Sequence, residues 1–148
     1  MIAPPLYLII LALCGSLVLS VVWPQGAWIE LLAPAIVTVG LTCKGSGIIY
    51  VGLAASFLID ILFGMPVGSM CAFYLPCAYL GVRAGYQMNI RSRWTVIITS
   101  GIIFLISLGI WFLITGTLAG DIAFPFGLPS LAVGSILAGL LWKPSLTV

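Results

Sequence analysis

Charged side chains are scarce in this chain, and cations and acids occupy different stretches of it. Only 5 cations and 3 acids stand among 148 residues. Soluble domains carry charge on roughly a quarter of their residues, because a small domain has a large surface to keep in water. A chain with 5% charged and 63% hydrophobic residues is therefore predicted to be an integral membrane protein, with lipid and other membrane proteins as partners. The few cations form no basic stripe of the kind that binds nucleic acid.

Six apolar segments follow one another along the chain, separated by Pro/Gly turns or by charges. They cover residues 5–22, 27–43, 46–63, 69–87, 94–118 and 122–142. A bilayer core of about 30 Å needs roughly 20 helical residues, so the first, third, fourth and fifth segments are predicted spans. The second is short and contains Pro34, and the sixth contains Pro125 and Pro129. Both are predicted to be kinked spans, with a re-entrant segment as the alternative.

The positions of the charges favour six crossings. If every segment spans, all cations lie on one side of the membrane: Lys44, Arg83, Arg91, Arg93 and Lys143. The acids then lie at or near the other side: Glu30, Asp60 and Asp121. The positive-inside rule makes the cation side cytoplasmic. The sequence predicts one all-α transmembrane domain over residues 1–148, a compact bundle of six helices with both termini in the cytoplasm.

No residue pattern in the chain is typical of an enzyme. There is no His, and no nucleophile elbow, phosphate-binding glycine loop or close cluster of carboxylates. Three of the four cysteines are Cys43, Cys71 and Cys77. They show no Cys-x-x-Cys spacing that would suggest a zinc site, and they are predicted to be small apolar residues packed between helices. We therefore expect a protein without catalytic activity, cofactor or metal. The alternative is an enzyme in which the three carboxylates, on separate segments, converge in space.

Asp60 lies within the apolar run of the third segment, about one helical turn from its outer end. An ionised carboxylate in hydrocarbon costs about 2.5 to 3.5 kcal/mol on insertion scales, so this side chain is expected to have a partner. It can bind a substrate or ion, reach the membrane interface, or accept hydrogen bonds from backbone N–H groups of the turn at 64–68 or of the next helix start. The nearby glycine-rich turn favours the last of these, a structural role.

The turn that follows Asp60 has the composition of a tight reversal. Gly64 and Gly68 can adopt left-handed backbone angles without penalty, and Pro66 presets its own. The third and fourth segments are therefore predicted to form an antiparallel hairpin. Small residues also recur at helical spacing, and such pairs let helices approach closely in lipid. The pairs are Gly81 with Gly85, Gly116 with Gly120, and Gly134 with Ala138.

Several stretches carry a resemblance to a known family. They are Pro34-Ala35-Ile36-Val37, the basic turn at Lys44, the run from Gly52 through Asp60 to Gly68, and Tyr79-Leu80 before a basic loop. Together they resemble the rod shape-determining protein family MreD. Its members are small inner-membrane proteins with an aspartate after an apolar helix, then a glycine, a small turn and Pro-Leu-Gly or its equivalent. Val67 stands here for the usual Leu.

The resemblance implies a non-enzymatic scaffold of the bacterial cytoplasmic (inner) membrane. Such proteins belong to the machinery for cell elongation and peptidoglycan synthesis. The implied partner is the bitopic protein MreC and, through it, MreB, RodA and a penicillin-binding protein. The candidate structural and interaction residues are Pro34, Asp60, Gly64, Pro66, Gly68, Gly81 and Gly85.

The alternative function is transport. Substrate-binding subunits of energy-coupling-factor vitamin transporters also have six helices and a similar size and hydropathy, and other small transporters share these properties. Such a subunit needs polar groups that converge on a pocket near the outer face. Gln25, Glu30, Asp60 and Asp121, together with aromatic residues, are the candidates for that pocket.

Overall fold

The structure, a computed structural model, describes residues 10–11, 14–15, 31–43, 47–88, 90, 92–118 and 128–141. Within these residues the chain forms α-helices and no strands. The helices are α1 (Leu32–Cys43), α2 (Gly47–Phe63), α3 (Cys71–Gln87), α4 (Arg93–Leu118) and α5 (Leu128–Leu141). The prediction of an all-α fold is thus confirmed for this part of the chain. Most of the predicted first segment lies outside the described residues.

Helix boundaries in the middle of the chain agree with the predicted segments. The helices α2, α3 and α4 end at the predicted residues and begin within two residues of the predicted starts. By contrast, α1 and α5 have 12 and 14 residues, which makes them about 18 and 21 Å long. Pro34 lies in the first turn of α1, where the backbone N–H groups have no partner four residues earlier. Instead of the predicted kink within a longer helix, Pro34 therefore marks a helix start.

One helix is by itself long and apolar enough to cross a membrane. It is the stretch Arg93–Gly116, which has 24 residues and contains 18 consecutive residues with a mean hydropathy of 2.5. The stretches Leu32–Thr42 and Gly47–Phe63 are shorter apolar helices. Within the part of the chain that the structure describes, one membrane-spanning helix is thus supported by length and composition. The predicted six crossings remain a prediction.

Helix α1 occupies the centre of the bundle. It packs most extensively against α3, and also against α5, α2 and α4. Every residue from 32 to 42 is buried, which is the position expected of a helix that is apolar on all its faces. Its two buried hydroxyls bond within the helix: Thr38 donates to the Pro34 carbonyl at 2.7 Å and Thr42 to the Thr38 carbonyl at 2.9 Å.

Glycines bring the backbones of α1 and α3 together. A Cβ added at Gly81 would lie 3.3 Å from the carbonyl oxygen of Val37, and one at Gly85 would lie 2.7 Å from that of Leu41. On the facing helix, a Cβ at Gly40 would lie 3.1 Å from the carbonyl carbon of Gly81. The predicted helix contact at Gly81 and Gly85 is confirmed, and its partner is α1 of the same chain.

The other two small-residue pairs have different surroundings. Gly134 is buried on α5, and the carbonyl oxygen of the buried Ala138 lies 3.5 Å from the hydroxyl of Thr38 on α1. This pair therefore lies on the buried side of α5. Gly116 is exposed, and an added Cβ would have no atom within 4 Å. Hence it makes no helix contact within the described chain, and Gly120 lies outside the described residues.

Candidate functional site

The site begins where α2 ends, at Gly64. This glycine has a φ of 63°, in the left-handed region that L residues rarely adopt. Its N–H donates to the carbonyl of Ile61 at 3.3 Å, and the N–H of Met65 donates to the carbonyl of Asp60 at 2.9 Å. This pair of bonds is a Schellman motif, which satisfies carbonyls that the helix end would otherwise leave unbonded.

A second set of turns connects Gly64 to α3. Gly68 has a φ of 93°. The N–H of Ser69 donates to the carbonyl of Pro66 at 3.0 Å, and that of Cys71 donates to the carbonyl of Gly68 at 3.1 Å. Consecutive turns of this kind lead directly into the first turn of α3. The tight reversal predicted from Gly64, Pro66 and Gly68 is confirmed, and both glycines have the predicted backbone conformation.

The carboxylate of Asp60 lies under this turn and is fully buried. Its Oδ2 accepts a hydrogen bond from the N–H of Gly68 at 2.6 Å. Its Oδ1 accepts one from the hydroxyl of Ser69 at 2.7 Å and one from the N–H of Met70 at 3.1 Å. The hydrogen bonds predicted from the turn and from the next helix start are thus present. The interpretation of Asp60 as an interfacial side chain is wrong, since none of it is exposed.

Asp60 also acts as a cap for α3 from a different helix. Met70, the N-cap residue of α3, makes no capping hydrogen bond with its own side chain. The carboxylate of Asp60 bonds to its N–H instead, at the end of α3 where the helix dipole favours negative charge. These charge-assisted bonds and the dipole offset the cost of burying the carboxylate. Among the described residues no cation forms an ion pair with it.

Below the turn, two cysteines join neighbouring helices. The Sγ of Cys71 lies 2.8 Å from the Oγ of Ser56 on α2, and the thiol of Cys77 donates to the Oγ of Ser107 on α4 at 3.3 Å. Both cysteines lie between helices, as predicted. Cys14, to which that prediction does not apply, is exposed. The side chain of Cys43 lies outside the described part of the structure.

The chemistry open to this site is limited. No three His, Cys, Asp or Glu side chains of the described residues come together to hold a metal ion. The Asp60 carboxylate is sealed from the surface by its own turn. The remaining candidates for a polar pocket, Gln25, Glu30 and Asp121, lie outside the described residues. Among the described residues, therefore, the geometry around Asp60 supports a structural site.

Two glycine contacts with α3 were not predicted from the sequence. Gly40 forms the α1 side of the crossing with α3, and Gly52 on α2 lies close to α3, where an added Cβ would be 3.1 Å from the Cβ of Ala78. Each is a single glycine inside an apolar helix. This feature could have predicted the contacts from the sequence, because such a glycine often marks a close approach of two backbones.

In the part of the chain that the structure describes, the fold and the site define a helical bundle with one helix long enough to span a membrane and a hairpin turn closed by a buried carboxylate. Comparison of the chain with protein-family models, with curated proteins and with solved structures finds no match.

Proposed function

We propose that the chain is a multi-pass scaffold of the bacterial cytoplasmic membrane, a non-enzymatic protein of the MreD type that binds other membrane proteins. The observation that supports this most directly is the engagement of Asp60 by its own hairpin. The one acid among the described residues serves the architecture of the chain. The helix surfaces and short loops are then the parts of the chain that bind other proteins.

The proposed topology has six spans with both termini in the cytoplasm. Antiparallel α2 and α3 have 17 residues each, or about 26 Å. At the end of the hairpin opposite the Asp60 turn, the exposed aromatic residues Tyr50, Tyr86 and Trp94 lie near the start of α2, the end of α3 and the start of α4. Aromatic rings collect at the level of lipid headgroups. This end also carries Arg83 and Arg93, which favours the cytoplasmic side.

The proposed partner surface is a stripe on α4, which we name the α4 stripe. Its members share one side of the helix, are exposed, and consist of Ile98, Ile102, Leu105, Gly109, Phe112 and Gly116. A Cβ added at Gly109 or Gly116 would meet nothing within 4 Å. These glycines leave room for the backbone of another helix, whereas Gly81 and Gly85 are covered by α1. We infer that the membrane helix of an MreC-like protein packs here and links the chain indirectly to MreB, RodA and a penicillin-binding protein.

A co-purification experiment in mild detergent tests the partner surface. Gly109→Leu and Gly116→Leu place side chains where the partner backbone would approach, so recovery of an MreC-like partner should fall by about ten-fold. The matched control is Gly47→Leu, since Gly47 is an exposed glycine on α2 with open space around it. Equal partner recovery from all three variants, each eluting as a monodisperse species, would contradict the α4 stripe.

Depletion of the protein tests the function itself. Rod-shaped cells should become round as the protein is lost, because elongation would no longer be coordinated. Normal cell shape after depletion, together with a vitamin that co-purifies in stoichiometric amount, would contradict the scaffold proposal. The chain would then be assigned as a substrate-binding subunit of a vitamin transporter.

A further inference from the structure

Arg83 lies on α3 one helical turn before its last residue, Gln87, and is exposed. These two residues line a groove of about 440 Å³ against α2. The rest of its lining is Ile49, Tyr79, Val82 and Tyr86. We name it the Arg83 groove. Arg83 and Gln87 also line a second groove, of about 290 Å³, on the side of α3 that faces α4.

The groove combines an apolar wall with one cation. Ile49, Val82 and the rings of the two tyrosines supply most of the wall, while the guanidinium of Arg83 and the amide of Gln87 supply hydrogen-bond donors. A free anion needs the donors and not the wall. An amphiphile that carries an anionic group at one end fits both.

The charge of Arg83 has no acidic counterpart in the described part of the chain. Asp60, the one acid described, is fully buried at the opposite end of the hairpin. Arg83 stands 12 residues after Cys71, the first residue of α3, which corresponds to about 18 Å along the helix. A guanidinium beside an apolar surface is best satisfied by a planar fork of hydrogen bonds to a phosphate or carboxylate.

We propose that the Arg83 groove binds an anionic phospholipid, with the headgroup phosphate on Arg83 and Gln87 and an acyl chain along the wall formed by Ile49 and Val82. Tyr79 and Tyr86 are 52% and 64% exposed, as suits rings at headgroup level. The cytoplasmic leaflet is the one rich in anionic lipid, and basic pockets on that side take up lipid headgroups. The inference uses the proposed membrane orientation but not the scaffold role, and partner recovery and lipid binding are separate measurements.

The test measures lipid retention by native mass spectrometry. The full chain is exchanged into mixed micelles that contain equal amounts of phosphatidylglycerol and phosphatidylethanolamine. The wild type should retain phosphatidylglycerol preferentially, and Arg83→Gln should retain about five-fold less of it. Arg93→Gln is the matched control, because Arg93 is an exposed cation that lines neither groove. It should behave as the wild type does.

Two further variants keep the test independent of folding defects. Arg83→Lys retains the charge but not the bidentate fork, so its retention should lie between those of wild type and Arg83→Gln. Val82→Phe fills the groove without a change in charge, so it should also lose phosphatidylglycerol. Size-exclusion chromatography checks that each variant is monodisperse.

Three results would overturn the proposal. One is equal retention of phosphatidylglycerol by the wild type, Arg83→Gln and Val82→Phe. Another is an equal loss in Arg83→Gln and Arg93→Gln, which would indicate diffuse surface charge. The third is displacement of the lipid by inorganic phosphate that is added at the concentration at which the lipid saturates the site. This result would indicate a site for a free anion.

Discussion

The carboxylate of Asp60 accepts a hydrogen bond of 2.6 Å from the backbone N–H of Gly68, and this bond closes the turn between α2 and α3. The donor residue has a φ of 93°, a conformation that favours glycine. A buried acceptor on one helix and a glycine in the turn are therefore required together. Asp60 and Gly68 can each be substituted alone, and the expected losses of stability differ.

Replacement of Asp60 by Asn should destabilise the protein less than replacement by Leu. Asn keeps one acceptor oxygen, which can serve Ser69 and Met70, but its amide group cannot accept from Gly68. One unpaired buried donor costs about 1 to 3 kcal/mol, whereas Leu leaves all three donors unpaired. The midpoint of thermal unfolding in mild detergent, followed by circular dichroism, should fall in the order wild type, Asp60→Asn, Asp60→Leu. Ser69→Ala is the control, since it removes one donor and leaves no unpaired group on the turn backbone.

Equal damage from Asp60→Asn and Asp60→Leu would mean that the negative charge itself is needed. The interpretation of Asp60 as an ion- or substrate-binding residue would then gain support over the structural one.

A side chain at either turn glycine should lower the free energy of unfolding more, the less that residue tolerates left-handed backbone angles. A residue with a Cβ pays about 1 to 2 kcal/mol in this region, and Asn pays less. We expect Gly64→Ala and Gly68→Ala to lower the unfolding midpoint and Gly64→Asn to lower it less. Since a Cβ at either position would have open space, an Ala variant as stable as the wild type would show that the turn does not need these angles.

The crossing of α1 and α3 should reject even a methyl group at Gly85. The added Cβ would lie 2.7 Å from the Leu41 carbonyl oxygen and 3.0 Å from that of Gly40, and backbone atoms cannot move aside cheaply. Overpacking of this kind costs about 1 to 3 kcal/mol. Gly85→Ala should lower the unfolding midpoint, whereas Gly109→Ala on the exposed face should leave it unchanged or raise it, because Ala favours helix. A lower unfolding midpoint for Gly109→Ala than for Gly85→Ala would contradict a tight contact at Gly85.

Cysteine labelling tests the proposed topology. In a chain with its native cysteines replaced by serine, Val67→Cys and Gly47→Cys place thiols at exposed positions at opposite ends of α2 and its turn. A membrane-impermeant maleimide added to intact cells should modify the thiol at position 67 and not that at 47. Additional probes at Gln25 and Gly120 should react from outside, and probes at Ser46 and Asn89 should not. Modification at position 46 or 47 from outside would exclude the six-span arrangement.

The sequence by itself determined the helices of the middle of the chain and the chemistry of the turn between α2 and α3. Those features depend on neighbouring residues: a long apolar run, then an aspartate, then Gly64, Pro66 and Gly68 within reach of it. Local hydrogen bonding and backbone angles are properties of a short segment, so the role of Asp60 as a turn acceptor was predictable before its partners were seen.

Tertiary structure decided which faces are inside. In apolar helices such as α1, almost every position is hydrophobic, so the sequence lacks the alternation that tells a buried face from a lipid-facing one. Gly85 and Gly116 looked alike as members of small-residue pairs, yet one lies against the backbone of α1 and the other is exposed. The central position of α1 and the grooves beside Arg83 arise from contacts between residues far apart in the chain. They are set by how the helices pack, because composition leaves several packings equally apolar.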